Sequence, residues 1–145
     1  MKIHKWFWLI GSLWSLSSVA KATEQDAKDE AQRLLESLRK NGFVVEDKNF
    51  QGSLPKGKQT ARFEVNLYEG NEYYLVAGGC KDAYDIDLEV FDENNHRIGK
   101  DDDQDQTALV RIRPFWSGKF FAVVTMHDST SDGAHWCLLQ AYRKE

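Results

Sequence analysis

The sequence has no basic stripe, and it holds only two cysteines and four histidines in 145 residues. Each shortage excludes a class of function. Without clustered lysine and arginine there is no electrostatic footprint for nucleic acid, and an acidic chain is repelled by anionic lipid. No serine sits in a nucleophile-elbow context. His127-Asp128 are adjacent in sequence, and adjacent residues rarely form a catalytic pair, so no nucleophile and base share a recognised frame. The chain therefore reads as a non-enzyme with no catalytic residues. There is also no internal repeat and no low-complexity linker, so the chain reads as one domain's worth of residues.

What is present begins with Met1 to Ala22. A short basic start, MKIHK, precedes the apolar stretch Trp6 to Leu16, and Ala20-Lys21-Ala22 offers a small-x-small cleavage site. This is the pattern of a secretory signal peptide, and its apolar part is shorter than the ~20 residues a membrane span requires. No cysteine follows the apolar core, so no lipid anchor is expected, and no membrane span is expected after cleavage. The protein is expected to be exported, to a bacterial periplasm or outer surface. Removing Lys2, Lys5 and Lys21 with the leader leaves 16 basic against 23 acidic side chains. Cys80 and Cys137 both lie beyond the leader. An even count in an oxidising compartment predicts one disulfide between them.

The spacing predicts a single helix over residues 23–42. Ala27, Ala31, Leu34, Leu35 and Leu38 form one apolar stripe, Thr23 caps the start, and Asn41-Gly42 supplies the stop. From Phe43 the period changes to two. Ala61 to Leu67, Asp85 to Val90, Ala108 to Ile112, Phe120 to Met126 and Trp136 to Tyr142 alternate apolar and polar side chains. Turn signals at Pro55-Lys56-Gly57, Glu69-Gly70-Asn71, Asp92 to Asn95, Trp116-Ser117-Gly118 and Ser129 to Gly133 separate them. With weaker runs at Val44 to Leu54, Tyr73 to Cys80 and Arg97 to Lys100, this gives about eight short strands. The expectation is an all-β antiparallel sandwich over 43–145.

Four segments of this β part resemble the bacterial pre-peptidase C-terminal domain. They are Phe50 to Leu54 with Phe63 to Gly70, Tyr73 to Cys80, Asp85 to Asp92 with Asp101-Asp102-Asp103, and Pro114 to Phe121. The resemblance covers about residues 50–142. It implies a jelly-roll β-sandwich that sits beside secreted enzymes without being catalytic, related to calcium-responsive binding modules. Here the domain follows a leader and a helix, with no enzyme on the same chain.

Asp101-x-Asp103-x-Asp105 clusters hard oxygen ligands on one loop, which suits calcium, although the glycine and the distal glutamate of an EF-hand are missing. Asp85, Asp87 and Glu89 line one strand face and are candidate contributors. Arg97, Arg111 and Arg113 are the cations expected to neutralise that row by cross-strand pairing, and a row left unneutralised favours a bound cation. Phe115 and Trp116 fall at a predicted turn, where an exposed ring can stack on a sugar or a peptide; the alternative is that Trp116 folds back over an open end of the sandwich. The functional expectation is an exported binding or accessory module, calcium-responsive, that recognises protein or glycan. The alternative is a protein-interaction partner, an inhibitor or chaperone-like protein, that presents Leu34, Leu35 and Leu38 to a groove on an exported enzyme.

Overall fold

The computed structural model describes residues 21–145, so the leader pattern, all but its last two residues, lies outside the described residues. Helix α1 runs Glu24–Lys40. Thr23 Oγ1 accepts a hydrogen bond from Asp26 N at 3.2 Å, and Asp26 Oδ2 accepts from Thr23 N at 2.7 Å, which closes a capping box. Gly42, at φ +82°, turns the chain out of the helix. Nine strands follow: β1 (Val44–Leu54), β2 (Lys58–Gln59), β3 (Phe63–Leu67), β4 (Asn71–Gly79), β5 (Ala83–Phe91), β6 (Arg97–Asp101), β7 (Thr107–Ile112), β8 (Gly118–Ser129) and β9 (Ala134–Lys144).

The strands make two antiparallel sheets, ordered β1-β9-β4-β7 and β2-β8-β5-β6, with β3 also on β8. Each sheet mixes strands from both ends of the chain, as a jelly roll requires. The ninth strand is the two-residue β2, which shares the β8 edge with β3. Alternation along β5 sends Ile86, Leu88 and Val90 inward, and all three are fully buried. Phe63 links the two sheets at one margin, its ring 4.7 Å from Phe50 and 5.3 Å from Trp136.

The helix is part of this core. Ala27, Ala31 and Leu35 are sealed from solvent, and Leu34 and Leu38 pack against the same cluster. Contact is close because Gly78 of β4 has no side chain; a Cβ there would lie 2.5 Å from Ala31 N and 2.7 Å from Ala27 O. The expectation that Leu34, Leu35 and Leu38 are held out to a partner is thereby corrected. The stripe packs on the protein's own sheet, where fully buried Leu35 gains about 1.5–3 kcal/mol and half-buried Leu34 and Leu38 gain part of that. Among the described residues no helix is long and apolar enough to cross a membrane.

Candidate functional site

Strand direction sorts the connecting loops into two ends. The β3–β4 loop (68–70), the β5–β6 turn, the β7–β8 loop (113–117) and the C-terminus of α1 share one end. The β1–β2, β4–β5, β6–β7 and β8–β9 connections share the other.

At the first end, arginines converge on a single acid. Glu72 opens β4 and is 1% exposed. Arg111 Nε of β7 donates to its Oε1, Arg143 Nη2 of β9 donates to Oε2 at 2.8 Å, and Arg113 Nη2 lies 3.6 Å from Oε1. Arg113 also pairs with Glu145 at 2.7 Å. Arg143 further donates to Asn41 O at 3.0 Å and sits over the Phe43 ring, tying the end of α1 to the sheet. Burial pushes the Glu72 carboxyl upward, but the Arg143 and Arg111 hydrogen bonds outweigh it and hold the group below the usual carboxylate range.

The neighbouring loops are fixed from beneath. The hydroxyl of buried Tyr73 accepts from Tyr68 N and Asn71 Nδ2, both at 3.0 Å, and Glu69 N donates to Ser117 Oγ at 2.9 Å. On this support Tyr68 is 59% exposed and Phe115 is 88% exposed. The predicted ring pair therefore divides. Phe115 projects, whereas Trp116 stacks on Phe120 at 5.4 Å with its Nε1 buried. Tyr68 joins Phe115 on the exposed side, the outward parity that follows from inward-facing Phe63, Val65 and Leu67.

The second end is acidic. Asp101 accepts from Asp103 N at 3.1 Å through Oδ1 and from Leu109 N at 2.8 Å through Oδ2. Asp105 accepts from Gln106 N, and Asp102 pairs with Lys100. These carboxylates brace the loop from within instead of turning to a common centre. Among the described residues no three acidic, histidine or cysteine groups are placed to hold a metal ion. Nor do the arginines neutralise the β5 row as expected. Arg97 reaches Glu89 at 2.8 Å, but Arg111 and Arg113 belong to the other sheet and go to Glu72. Asp87 faces His127 instead, and Asp85 Oδ1 has no hydrogen-bond partner among the described residues. Burial, then the Asp85 charge, raises the Asp87 carboxyl, opposed by His127 at 3.8 Å.

The expected Cys80–Cys137 disulfide is absent: both thiols are free and buried. The β4/β9 register explains it. Cys137 stands opposite Gly78, while Cys80 N bonds His135 O, so the cysteines are staggered by two positions instead of opposed. Cys80 Sγ accepts from His135 N at 3.3 Å. Burial beneath the helix pushes the Cys137 thiol up to about 11, which suppresses the thiolate needed for reaction or for a His135-x-Cys137 metal pair. A cleft between β1 and β3, walled by Phe50, Val65, Leu75 and Leu138, measures about 210 Å³. That is below the ~300 Å³ at which small-molecule sites begin.

The chain matches no family model and no curated protein. Among solved structures it is similar to PliG of Aeromonas hydrophila, described as a periplasmic lysozyme inhibitor of g-type lysozyme. Identity is 17%, the match covers 66% of this chain and 85% of that one, and the TM-score is 0.48. The jelly-roll assignment accordingly rests on the strand order itself.

Proposed function

We propose that this chain is an exported, non-catalytic protein-interaction module that docks through its arginine–aromatic end. One observation carries the reading. Phe115, 88% exposed, is presented on a loop that the Glu69 N–Ser117 Oγ hydrogen bond ties to the loop carrying exposed Tyr68. Aromatic rings and arginines are the side chains that dominate binding energy at protein interfaces, and rigid presentation lowers the ordering cost of association. Half-exposed Arg111, Arg113 and Arg143 lie at the same end, each already held by a carboxylate. The export part of the proposal rests on the leader pattern of Met1 to Ala22. The non-catalytic part rests on chemistry: His127 and Asp128 contact Asp87 and Lys56 respectively, not each other or a nucleophile.

The test is a photo-crosslinking residue placed at position 115 of the exported protein in cells. Control positions are 84, an exposed tyrosine at the acidic end, and 98, an exposed isoleucine on β6. A discrete heavier species from position 115 alone is expected. Equal cross-linking from all three positions, or none from 115, overturns the reading. Purified g-type lysozyme, the target stated for PliG, is the first partner to assay. Inhibition that weakens about tenfold or more in Phe115→Ala, with the fold intact, identifies the partner as a peptidoglycan-cleaving enzyme.

A further inference from the structure

A recess of about 370 Å³ lies at the acidic end, lined by Asp85, Gln104, His127 and Asp128 with Lys56 at its rim. It is built by a β-bulge. The β5/β8 register pairs Asp85 with Asp128 and Ile86 with Met126, leaving His127 as the extra residue. Two carboxylates therefore face each other across the strands, an arrangement that costs stability. Asp128 is compensated, by Lys56 Nζ at 2.7 Å and by Ser129 N. Asp85 is not. It is 7% exposed, and its Oδ1 has no hydrogen-bond partner among the described residues. A buried carboxylate oxygen without a donor carries a desolvation cost that an incoming donor would relieve.

We propose that this recess receives an ammonium group, with Asp85 as its principal acceptor. The space is that of a side chain and far larger than a bare ion, and the surrounding acids do not converge as a metal cage would. With Oδ1 sealed from solvent, Asp85 cannot present both oxygens to the planar fork of a guanidinium, whereas the compact charge of an ammonium needs only one. Lys56, already seated on Asp128, shows the same chemistry from within the chain. The group can come from a partner's lysine side chain or from a free diamine, and the proposal stands apart from docking at the other end.

The experiment is an amide-resolved NMR titration of the folded protein with tetralysine, with cadaverine and with calcium chloride, at constant ionic strength. Shifts confined to the amides around Asp85, Gln104, His127 and Asp128 are expected with the amines. Tighter binding of tetralysine points to a polypeptide source, and tighter binding of cadaverine points to a free diamine. Asp85→Asn is expected to weaken the amine response about tenfold or more, while Asp132→Asn, at the exposed β8–β9 tip, leaves it unchanged. The spectrum reports whether each variant is folded; should Asp85→Asn not fold, Gln104→Ala and Asp128→Asn serve in its place, with weakened binding again expected. Shifts spread over the whole acidic end, equal responses in Asp85→Asn and wild type, or a calcium response at these amides without an amine response would overturn the proposal.

Discussion

The two ends of this sandwich handle charge in opposite ways. At one end the buried acid Glu72 is surrounded by three arginines, and the loops present exposed Tyr68 and Phe115. At the other end acids crowd together, one of them, Asp85, is buried without a donor, and a lysine reaches only its neighbour. Both ends sit on the same pair of sheets. The difference teaches that an acidic balance for the whole chain says little about either end, because strand register, not composition, decides which charges meet.

Glu72→Ala should have the largest effect, because it leaves the guanidiniums facing one another. Removing one partner of a buried pair costs 3–5 kcal/mol. Half-exposed arginines can turn to water, so a loss near about 3 kcal/mol is expected in a denaturant melt. The same residue sets a pH dependence. Its folded-state carboxyl titrates below the ordinary value of 4.5. Its stabilisation is therefore full above that unfolded value and is lost as pH falls through the folded one. The acid limb of a melting-temperature profile should flatten in Glu72→Ala. An unchanged acid limb would mean that the first end is held by something other than this cluster.

Gly78→Ala comes next; the residue stands near the acidic end of β4 but acts through α1. A methyl group placed 2.5 Å from Ala31 N forces α1 off the sheet or bends it, at about 2–3 kcal/mol. Because Arg143 bridges the sheet to Asn41 O, the first end should loosen with the helix, whereas the acidic loop, braced on β7 by Asp101, should not. Hydrogen exchange read at Phe43 and at Leu109 separates the two. Equal loosening at both would make the molecule one cooperative block and erase the contrast.

Much of the fold was legible. The capping box, the helical stripe and the period-two runs are local patterns, and the strands follow them within two or three residues. Pairing was not legible, because partners far apart in sequence depend on register. Arg111 lies on β7 and Arg113 in the loop just after it, and their acid, Glu72, lies on β4, one residue past the Glu69-Gly70-Asn71 turn signal. Glu72 was missed for the same reason, and no signal in a single sequence marks it. Cys80 and Cys137 had the count for a disulfide in the expected oxidising compartment, and a two-residue stagger undoes it. Gly78-Gly79 was a visible signal, since a close backbone approach is a common reason for glycine inside a strand.

The acidic loop offers a smaller effect that separates scaffold from cage. Asp101→Ala removes two acceptors from backbone donors and should cost about 1–2 kcal/mol. Asp103→Ala should stay within about 0.5 kcal/mol, as exposed substitutions do. Melts with millimolar calcium should coincide with melts in chelator for both variants and for the wild type. A calcium-dependent rise abolished by Asp103→Ala would restore the metal reading of Asp101, Asp103 and Asp105 against the geometry described here.

The smallest expected change has the opposite sign. Asp85→Asn removes one charge from the Asp85–Asp128 cross-strand pair while keeping side-chain size. Like charges directly opposed cost about 0.2–1 kcal/mol, so the variant should melt about 2 °C higher. The matching change at the other end, Glu72→Gln, should melt lower, because there the charge is the attractive partner. Opposite signs for two carboxylate-to-amide changes would show that the first end is built for its own stability and the second is held in tension. Tension of that kind is expected where a site is kept ready for a ligand. A fall in melting temperature for Asp85→Asn would show instead that Asp85 already has its donor in solution, and the contrast between the ends would narrow to the arginines around Glu72.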